Sequence, residues 1–266
     1  MYLDFYGLKV SPFNVTSDPN FFFESSTHKE ALATLSYGIK ERKGMILITG
    51  EVGTGKTTLC KALLNKLDSQ IKVSLILNPY FSEVQLLRAI VEDFGLELEK
   101  KSRLDIVKKL NSFLLDIISK NSNAVLIIDE AQNLTVRQLE QIRLLSNLET
   151  SKEKLLQIIL VGQPELVGKL NEFRLRQIRQ RIFVKYNLSP LDEAETKDYI
   201  EFRLKIGGNN IDINILPQCY KIVYDFTKGI PRLINMLCDR ALLLGFAKGK
   251  KTLDERVFLK CIEEIR

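Results

Sequence analysis

The sequence predicts an α/β protein, with a mainly parallel sheet carrying helices, followed by a small all-helical domain. Three observations carry that reading. From residue 45 onward, short β-type apolar runs alternate with segments of helical period. A glycine-rich turn, GEVGTGKTT at 50–58, lies directly between one such run and an apolar helix. After Pro190 the strand-like runs stop and only helical patterns follow.

Taken in order, the first forty residues form an aromatic-rich lead-in, with Phe21, Phe22 and Phe23 in a row ahead of a short helix opened by Thr27 and Glu30. Three adjacent phenylalanines are expected to bury against the core. Strands are expected at 45–49 (MILIT), 71–77 (IKVSLIL), 124–129 (AVLIID), 155–161 (LLQIILV) and 181–186 (RIFVKY), all apolar runs of strand length. Between them, Ser82 with Gln85, Ser102 with Asp105 and Thr135 with Gln138 have the spacing of a capping box or a near variant. Apolar repeats such as Val84, Leu87, Val91 and Phe94 follow. Beyond Pro190 one helix opens at Asp192 and closes near Gly207 and Gly208, and a second ends near Gly229. A third starts at Pro231, and Asp254 caps the last. The expected organisation is a lead-in packing on the core at 1–40, an α/β domain at 41–190 and a helical domain at 191–266.

With 266 residues, 45% of them hydrophobic, the chain can bury a full core, which argues against disorder. No apolar run reaches the roughly 18 to 20 residues of a membrane span, and MYLDFYGLKV lacks the basic start and apolar centre of an export signal. A cytoplasmic protein is expected. Cys60, Cys219, Cys238 and Cys261 are far apart and share the chain with a single histidine, His28. They predict neither a zinc site nor a disulfide framework, and read as small buried residues. The net charge of +6 is compatible with nucleic acid or an anionic surface but decides neither. No internal repeat or low-complexity tract argues for a solenoid.

The chemistry begins at the turn. Gly50, Glu51, Val52, Gly53, Thr54, Gly55, Lys56 and Thr57 match GxxxxGK[ST], with Thr58 and an apolar helix (Leu59, Leu63, Leu67) after it. Glycines at 50, 53 and 55 are read as places where the backbone takes conformations a β-carbon forbids, so that its N–H groups converge on phosphate oxygens. Lys56 would reach the β and γ phosphates of ATP, and Thr57 would offer a hydroxyl to Mg²⁺. In LIIDEAQ, Asp129 ends a strand where open sheets bind ligands and would hold the Mg²⁺ shell. Glu130 beside it would orient an attacking water.

Further polar residues could sense the nucleotide. Gln163 follows the fourth strand, where it can hydrogen-bond a γ-phosphate or simply make the turn before Pro164. In FRLRQIRQRIFVKYN, Arg174, Arg176, Arg179, Arg181 and Lys185 stand without an acidic residue, so the row is expected to await an anion: an acidic face, nucleic acid, or a nucleotide on a neighbouring subunit. Arg179 and Arg181 lie just before the fifth strand and are candidates for an arginine supplied across an interface. Arg232 falls in the first turn of the helix opened by Pro231, where the helix dipole disfavours a cation by a few tenths to about 1 kcal/mol. A γ-phosphate would compensate it; so would a carboxylate such as Asp239 or Asp225.

Together GEVGTGKTT, LIIDEAQ, the polar residue after strand four, the arginines before strand five and GIPR resemble an AAA+ ATPase. The flanks YGLKVSPFNVTSDPNFFFESSTHKEALATLSYGIKERKG, DEAQNLTVRQLEQIRLLSNLET, LQIILVGQPEL and GIPRLINMLCDRALLLGFAKG resemble the ExeA/GspA family, general secretion pathway protein A, over essentially the whole chain. The resemblance implies a P-loop NTPase (AAA+) core with a helical lid. Lys56, Thr57, Asp129 and Glu130 would be its Walker residues, Gln163 sensor one, Arg179 or Arg181 the finger and Arg232 sensor two. It also implies an aromatic lead-in, Tyr6 to Phe23, that wraps the core and helps hold adenine. The expected protein is a cytoplasmic, Mg-dependent ATPase that forms homo-oligomers. It would act with an inner-membrane protein of a type II secretion, pilus or exopolysaccharide system. Long members continue into a membrane span and a peptidoglycan-binding module, and this sequence ends at Arg266, so the expectation is either a short member or the cytoplasmic part of a longer one. A second expectation is a DNA-binding ATPase of the transposition-helper type, whose domain is similar.

Overall fold

Five parallel strands form the sheet of the computed structural model, which describes residues 1–14, 16, 18–98, 102–151, 153–208 and 211–265. They are β1 (Met45–Gly50), β2 (Lys72–Ile76), β3 (Ala124–Ile128), β4 (Gln157–Gly162) and β5 (Ile182–Leu188), in the order β2-β3-β4-β1-β5. Every residue of β1, β3 and β4 is buried, because helices cover both faces of a parallel sheet, and these strands read as nearly unbroken apolar runs. The edge strands β2 and β5 alternate between more and less exposed positions instead. Each predicted strand is present, with its ends moved by one or two residues.

Register sets the level of the sheet's carboxyl edge. Leu47 pairs with Leu160 across β1 and β4, and Leu160 with Ile128 across β4 and β3. The residues that leave these three strands, Glu51, Gln163 and Asp129, therefore emerge from one edge, where open α/β sheets bind ligands.

The chain divides into two compact units, one made of Lys29–Glu51 and Leu59–Leu188, the other of Met1–His28, Val52–Thr58 and Ser189–Arg266. In the α/β unit the core joins strand residues such as Leu126, Ile128 and Ile158 to helix residues such as Leu86, Leu110, Leu114 and Ile142, all fully or almost fully buried. The helices start where side chains cap them. Ser82 accepts from the Gln85 N–H at 3.4 Å while Gln85 accepts from the Ser82 N–H at 2.9 Å, opening Glu83–Asp93. Thr135 and Gln138 repeat the arrangement ahead of Val136–Leu145, and Ser102 caps Arg103–Ser119. One cap differs from the expectation: the helix Ser26–Lys40 runs 15 residues rather than being short, and Ser25, not Thr27, accepts the His28 N–H at its start, at 3.3 Å.

The other unit is built on the helices Glu193–Gly207, Pro217–Thr227, Pro231–Ala247 and Glu255–Ile265. Asp192 and Glu195 form a capping box on the first, and Asp254 accepts the Val257 N–H at 3.1 Å on the last. A parallel pair of two-residue strands, β6 (Asn214–Ile215) and β7 (Thr252–Leu253), adds a feature the sequence does not announce, since two residues carry no period. Expected against the α/β core, the lead-in instead supplies core to this unit: Tyr6, Leu8 and Phe13 are buried with Tyr199, Leu237 and Phe258. The Tyr6 hydroxyl satisfies itself on the Leu242 and Lys250 carbonyls, both at 3.1 Å. Arg203 clamps the segment, donating to the Pro12 carbonyl at 2.5 Å and the Asn14 carbonyl at 2.8 Å, with Phe21 stacked 4.5 Å away. Phe23 packs edge-on against Tyr199.

Candidate functional site

β1 delivers the chain at Gly50, and the 11-residue helix Lys56–Lys66 takes it up at Lys56. Gly53 at φ +83 and Gly55 at φ +95 bend the turn between them. Left-handed backbone costs an ordinary residue roughly 1–2 kcal/mol, and there is no room for one here. A β-carbon at Gly53 would lie 2.6 Å from the Arg232 β-carbon, and one at Gly55 would lie 3.0 Å from the His28 Nε2. Gly50 needs no such freedom: it ends β1 as an extended residue, so the sequence reading of that glycine is corrected. Thr54 and Lys56 are buried, while Thr57 and Thr58, in the helix's first turn, are half-buried. A helix N-terminus carries about half a positive charge, which suits an anion.

Arg232 comes to this loop through its main chain. The helix Pro217–Thr227 ends on Lys228 and Gly229, at φ +52 and +72, and Pro231 opens the next helix. That turn lets the Arg232 N–H donate to the Gly53 carbonyl at 3.2 Å. Asp239, one of the carboxylates the sequence offered as a partner, accepts the Tyr2 hydroxyl at 2.7 Å instead. Among the described residues the Arg232 guanidinium has no ion-pair partner, and it is exposed.

At the ends of β3 and β4 a set of side chains converges. Asp129 is 2% exposed and accepts the Glu130 N–H at 2.9 Å. Glu130 itself sits at φ +51, a conformation that non-glycine residues hold only where surroundings impose it. The Gln163 side-chain amide donates to the Glu130 carboxylate at 3.2 Å, so the structure brings these two predicted residues together. Gln132, which sequence reasoning passed over, bridges them. Its amide donates to the same Glu130 oxygen, and its carbonyl accepts the Gln163 N–H at 3.0 Å. The signal was present in DEAQ, but only the two carboxylates were weighed. Gly162 makes room, since a β-carbon there would lie 2.9 Å from the Gln132 oxygen, and Lys169 ties the Gln132 and Leu134 carbonyls down.

The basic stretch is less bare than its sequence suggests. Arg174 pairs with Glu172 at 2.6 Å, Arg176 stacks on Phe173 at 4.4 Å, and Arg179 donates to the Asn171 side chain at 3.3 Å. Arg179 and Arg181 close the helix Arg176–Arg181 immediately before β5, and among the described residues Arg181 and Lys185 form no ion pair. The four cysteines are buried, as expected.

Comparison with known proteins bears on the family and the fold. A family model described as an AAA domain matches residues 39–170. General secretion pathway protein A of Aeromonas hydrophila is 43% identical over 250 residues, covering 94% of this chain and 46% of that protein, so the chain spans about half the length of this curated relative. Among solved structures, the Aeropyrum pernix ORC2 protein in its ADPNP–ADP complexes superposes with a TM-score of 0.68 at 17% identity, over 91% of this chain and 67% of that one. The Aeropyrum pernix ORC1 protein in complex with DNA gives 0.66 at 14%, over 91% and 66%. The Thermotoga maritima RuvB Holliday junction branch migration motor gives 0.59 at 20%, over 89% and 69%. Identities this low speak to the fold alone. The chain is an AAA+ P-loop protein and belongs to the family of general secretion pathway protein A.

Proposed function

We propose that this chain binds MgATP and hydrolyses it, driving or regulating the assembly of a bacterial envelope system. The observation that carries the nucleotide half is the glycine turn, bent at Gly53 and Gly55 to open a helix at Lys56. Lys56 is assigned to the β and γ phosphates, with Gly50 to Thr58 supplying main-chain and hydroxyl contacts. The residues fit Mg²⁺, a hard cation that keeps several waters and takes one or two protein oxygens. Thr57 would give a hydroxyl and Asp129 a carboxylate. The bound ion would neutralise charge on the phosphates. Glu130 holds and polarises the attacking water, and Gln163, already bonded to Glu130, orients that carboxylate and reports on the γ-phosphate. Arg232 in the helical unit contributes its guanidinium to the nucleotide.

The envelope half rests on the likeness to general secretion pathway protein A. No helix among the described residues is long and apolar enough to cross a membrane, and an inner-membrane protein of the envelope system is the partner proposed on that likeness. A DNA-dependent ATPase is the second reading. It is favoured by Arg181 and Lys185, which form no ion pair among the described residues, and weakened by the local partners of Arg174, Arg176 and Arg179.

The test is the ATPase rate against protein concentration, for wild type, Arg179→Ala and Arg181→Ala, with and without duplex DNA. A rate per subunit that rises with concentration and drops about a thousandfold in one arginine variant is expected, as an arginine supplied from a neighbour can contribute roughly 10³ to 10⁵ in rate. Arg181, which forms no ion pair among the described residues, is the stronger candidate. Stimulation by DNA that fades steeply with salt points to the second reading. A concentration-independent rate with both variants active removes the shared-site assignment.

A further inference from the structure

The chain's one histidine lies against the phosphate loop. We infer that His28 is a positioning residue for that loop: its imidazole, held in one tautomer by Ser25, donates to the Thr54 main-chain carbonyl and fixes the loop in its phosphate-receiving shape. The inference rests on the nucleotide reading and names a part of the site that neither the loop motif nor the carboxylates include.

The geometry leaves one consistent pattern of protons. The Ser25 hydroxyl lies 2.7 Å from the His28 Nδ1, and the same oxygen accepts the His28 N–H at 3.3 Å. Thr27 lies 3.1 Å from that oxygen and can donate to it. In a neutral ring bonded to the Thr54 main chain through Nε2, Nδ1 is the acceptor, so the Ser25 hydroxyl donates to it. The ring's remaining proton is on Nε2, which faces Gly55, and the ring is hydrogen-bonded to the Thr54 main chain. The side chain is 4% exposed, and Phe22 meets the ring edge-on at 5.3 Å, so it has little freedom to turn. Ser26 beside it donates both its N–H, at 2.9 Å, and its hydroxyl, at 2.7 Å, to Glu195. Glu195 belongs to the capping box of Glu193–Gly207, so the whole turn is anchored.

Burial drives the imidazole down to about 4, against the Thr54 main chain and the Glu195 and Glu24 carboxylates, which pull it upward. At neutral pH His28 is therefore uncharged and adds no positive charge to the phosphate site. What it supplies is one directed N–H, in a place where a cation would change the loop's own charge balance.

The test compares His28→Gln, whose amide nitrogen reaches the Nε2 position, with His28→Asn, whose amide reaches only the Nδ1 position, and with His28→Leu. Two readouts apply: hydrogen exchange of the 52–58 amides without nucleotide, and titration of a fluorescent ATP analogue with Mg²⁺, beside a Lys56→Ala control. We expect the Gln variant to match wild type within about twofold, and the Asn and Leu variants to exchange faster and bind about five- to tenfold more weakly, the worth of one lost hydrogen bond. Where Leu fails to fold, the Gln and Asn pair decides. Equal behaviour of Gln and Asn in both readouts overturns the inference. Wild-type protein that does not bind the analogue, with Gln and Asn still separated in exchange, sinks the nucleotide reading but leaves His28 ordering the loop. Binding that is intact in all three His28 variants and lost in Lys56→Ala does the reverse.

Discussion

Glu130→Gln is expected to lower ATP turnover by about 10² to 10⁴, the usual contribution of a positioned general base, while the nucleotide stays bound. The substitution is mild for the fold. Both donors to Glu130, the amides of Gln132 and Gln163, reach the same side-chain oxygen, and a glutamine carbonyl there can still accept from them. The main chain at φ +51 is held by its own contacts, including the Glu130 N–H on Asp129, and does not depend on the side-chain charge. Only the negative charge that would draw a proton from water is lost. Phosphate release measured beside binding of a fluorescent analogue separates the two effects. Turnover within about threefold of wild type would take the base assignment away from Glu130. If the protein works as a slow switch, the variant still assembles with ATP and persists in that state; if repeated turnover is needed, its cellular output is lost.

Gly229→Ala carries the largest expected cost in stability. A β-carbon there would lie 1.8 Å from the Leu191 carbonyl oxygen and 2.8 Å from its carbonyl carbon, so the obstruction is main chain and cannot swing aside. The two strands of chain are also joined, with the Leu191 N–H donating to the Gly229 carbonyl at 2.9 Å. To this is added the left-handed conformation, φ +72, at roughly 1–2 kcal/mol. Forcing the segments apart breaks that hydrogen bond and loosens Leu191, a buried core residue, for a total on the order of 3–5 kcal/mol. For a chain of this size that is a fall in melting temperature of about 10 °C. A fall under about 2 °C would mean the turn relaxes freely. Because the turn leads into Arg232, nucleotide affinity is expected to fall with stability.

How much of this was legible in the sequence follows from where each signal lives. The inner strands were plain because burial on two faces makes them apolar throughout, and the caps were plain because a serine or threonine and a glutamine three residues apart have few other uses. The glycine turn stood out for the same reason: its residues meet a local demand. What the sequence hid is set by distant neighbours. That the lead-in serves the helical unit depends on Arg203 meeting the Pro12 and Asn14 carbonyls, nearly two hundred residues apart in sequence. The supposedly bare arginine row was partly paired by Glu172 and Asn171, which lie just before the stretch that was read. Gln132 was passed over because its partner arrives only at the end of β4, and His28 looked like a lone histidine until the loop was folded onto it.

The most direct measurement is the heat of binding of MgATP to the purified chain and to Lys56→Ala. One site per subunit is expected for wild type, with affinity roughly ten- to a hundredfold weaker in the variant, as befits a lost charge-assisted hydrogen bond. No heat from the wild type, or equal affinity in the two proteins, would contradict the assignment of residues 50–58 as the phosphate site.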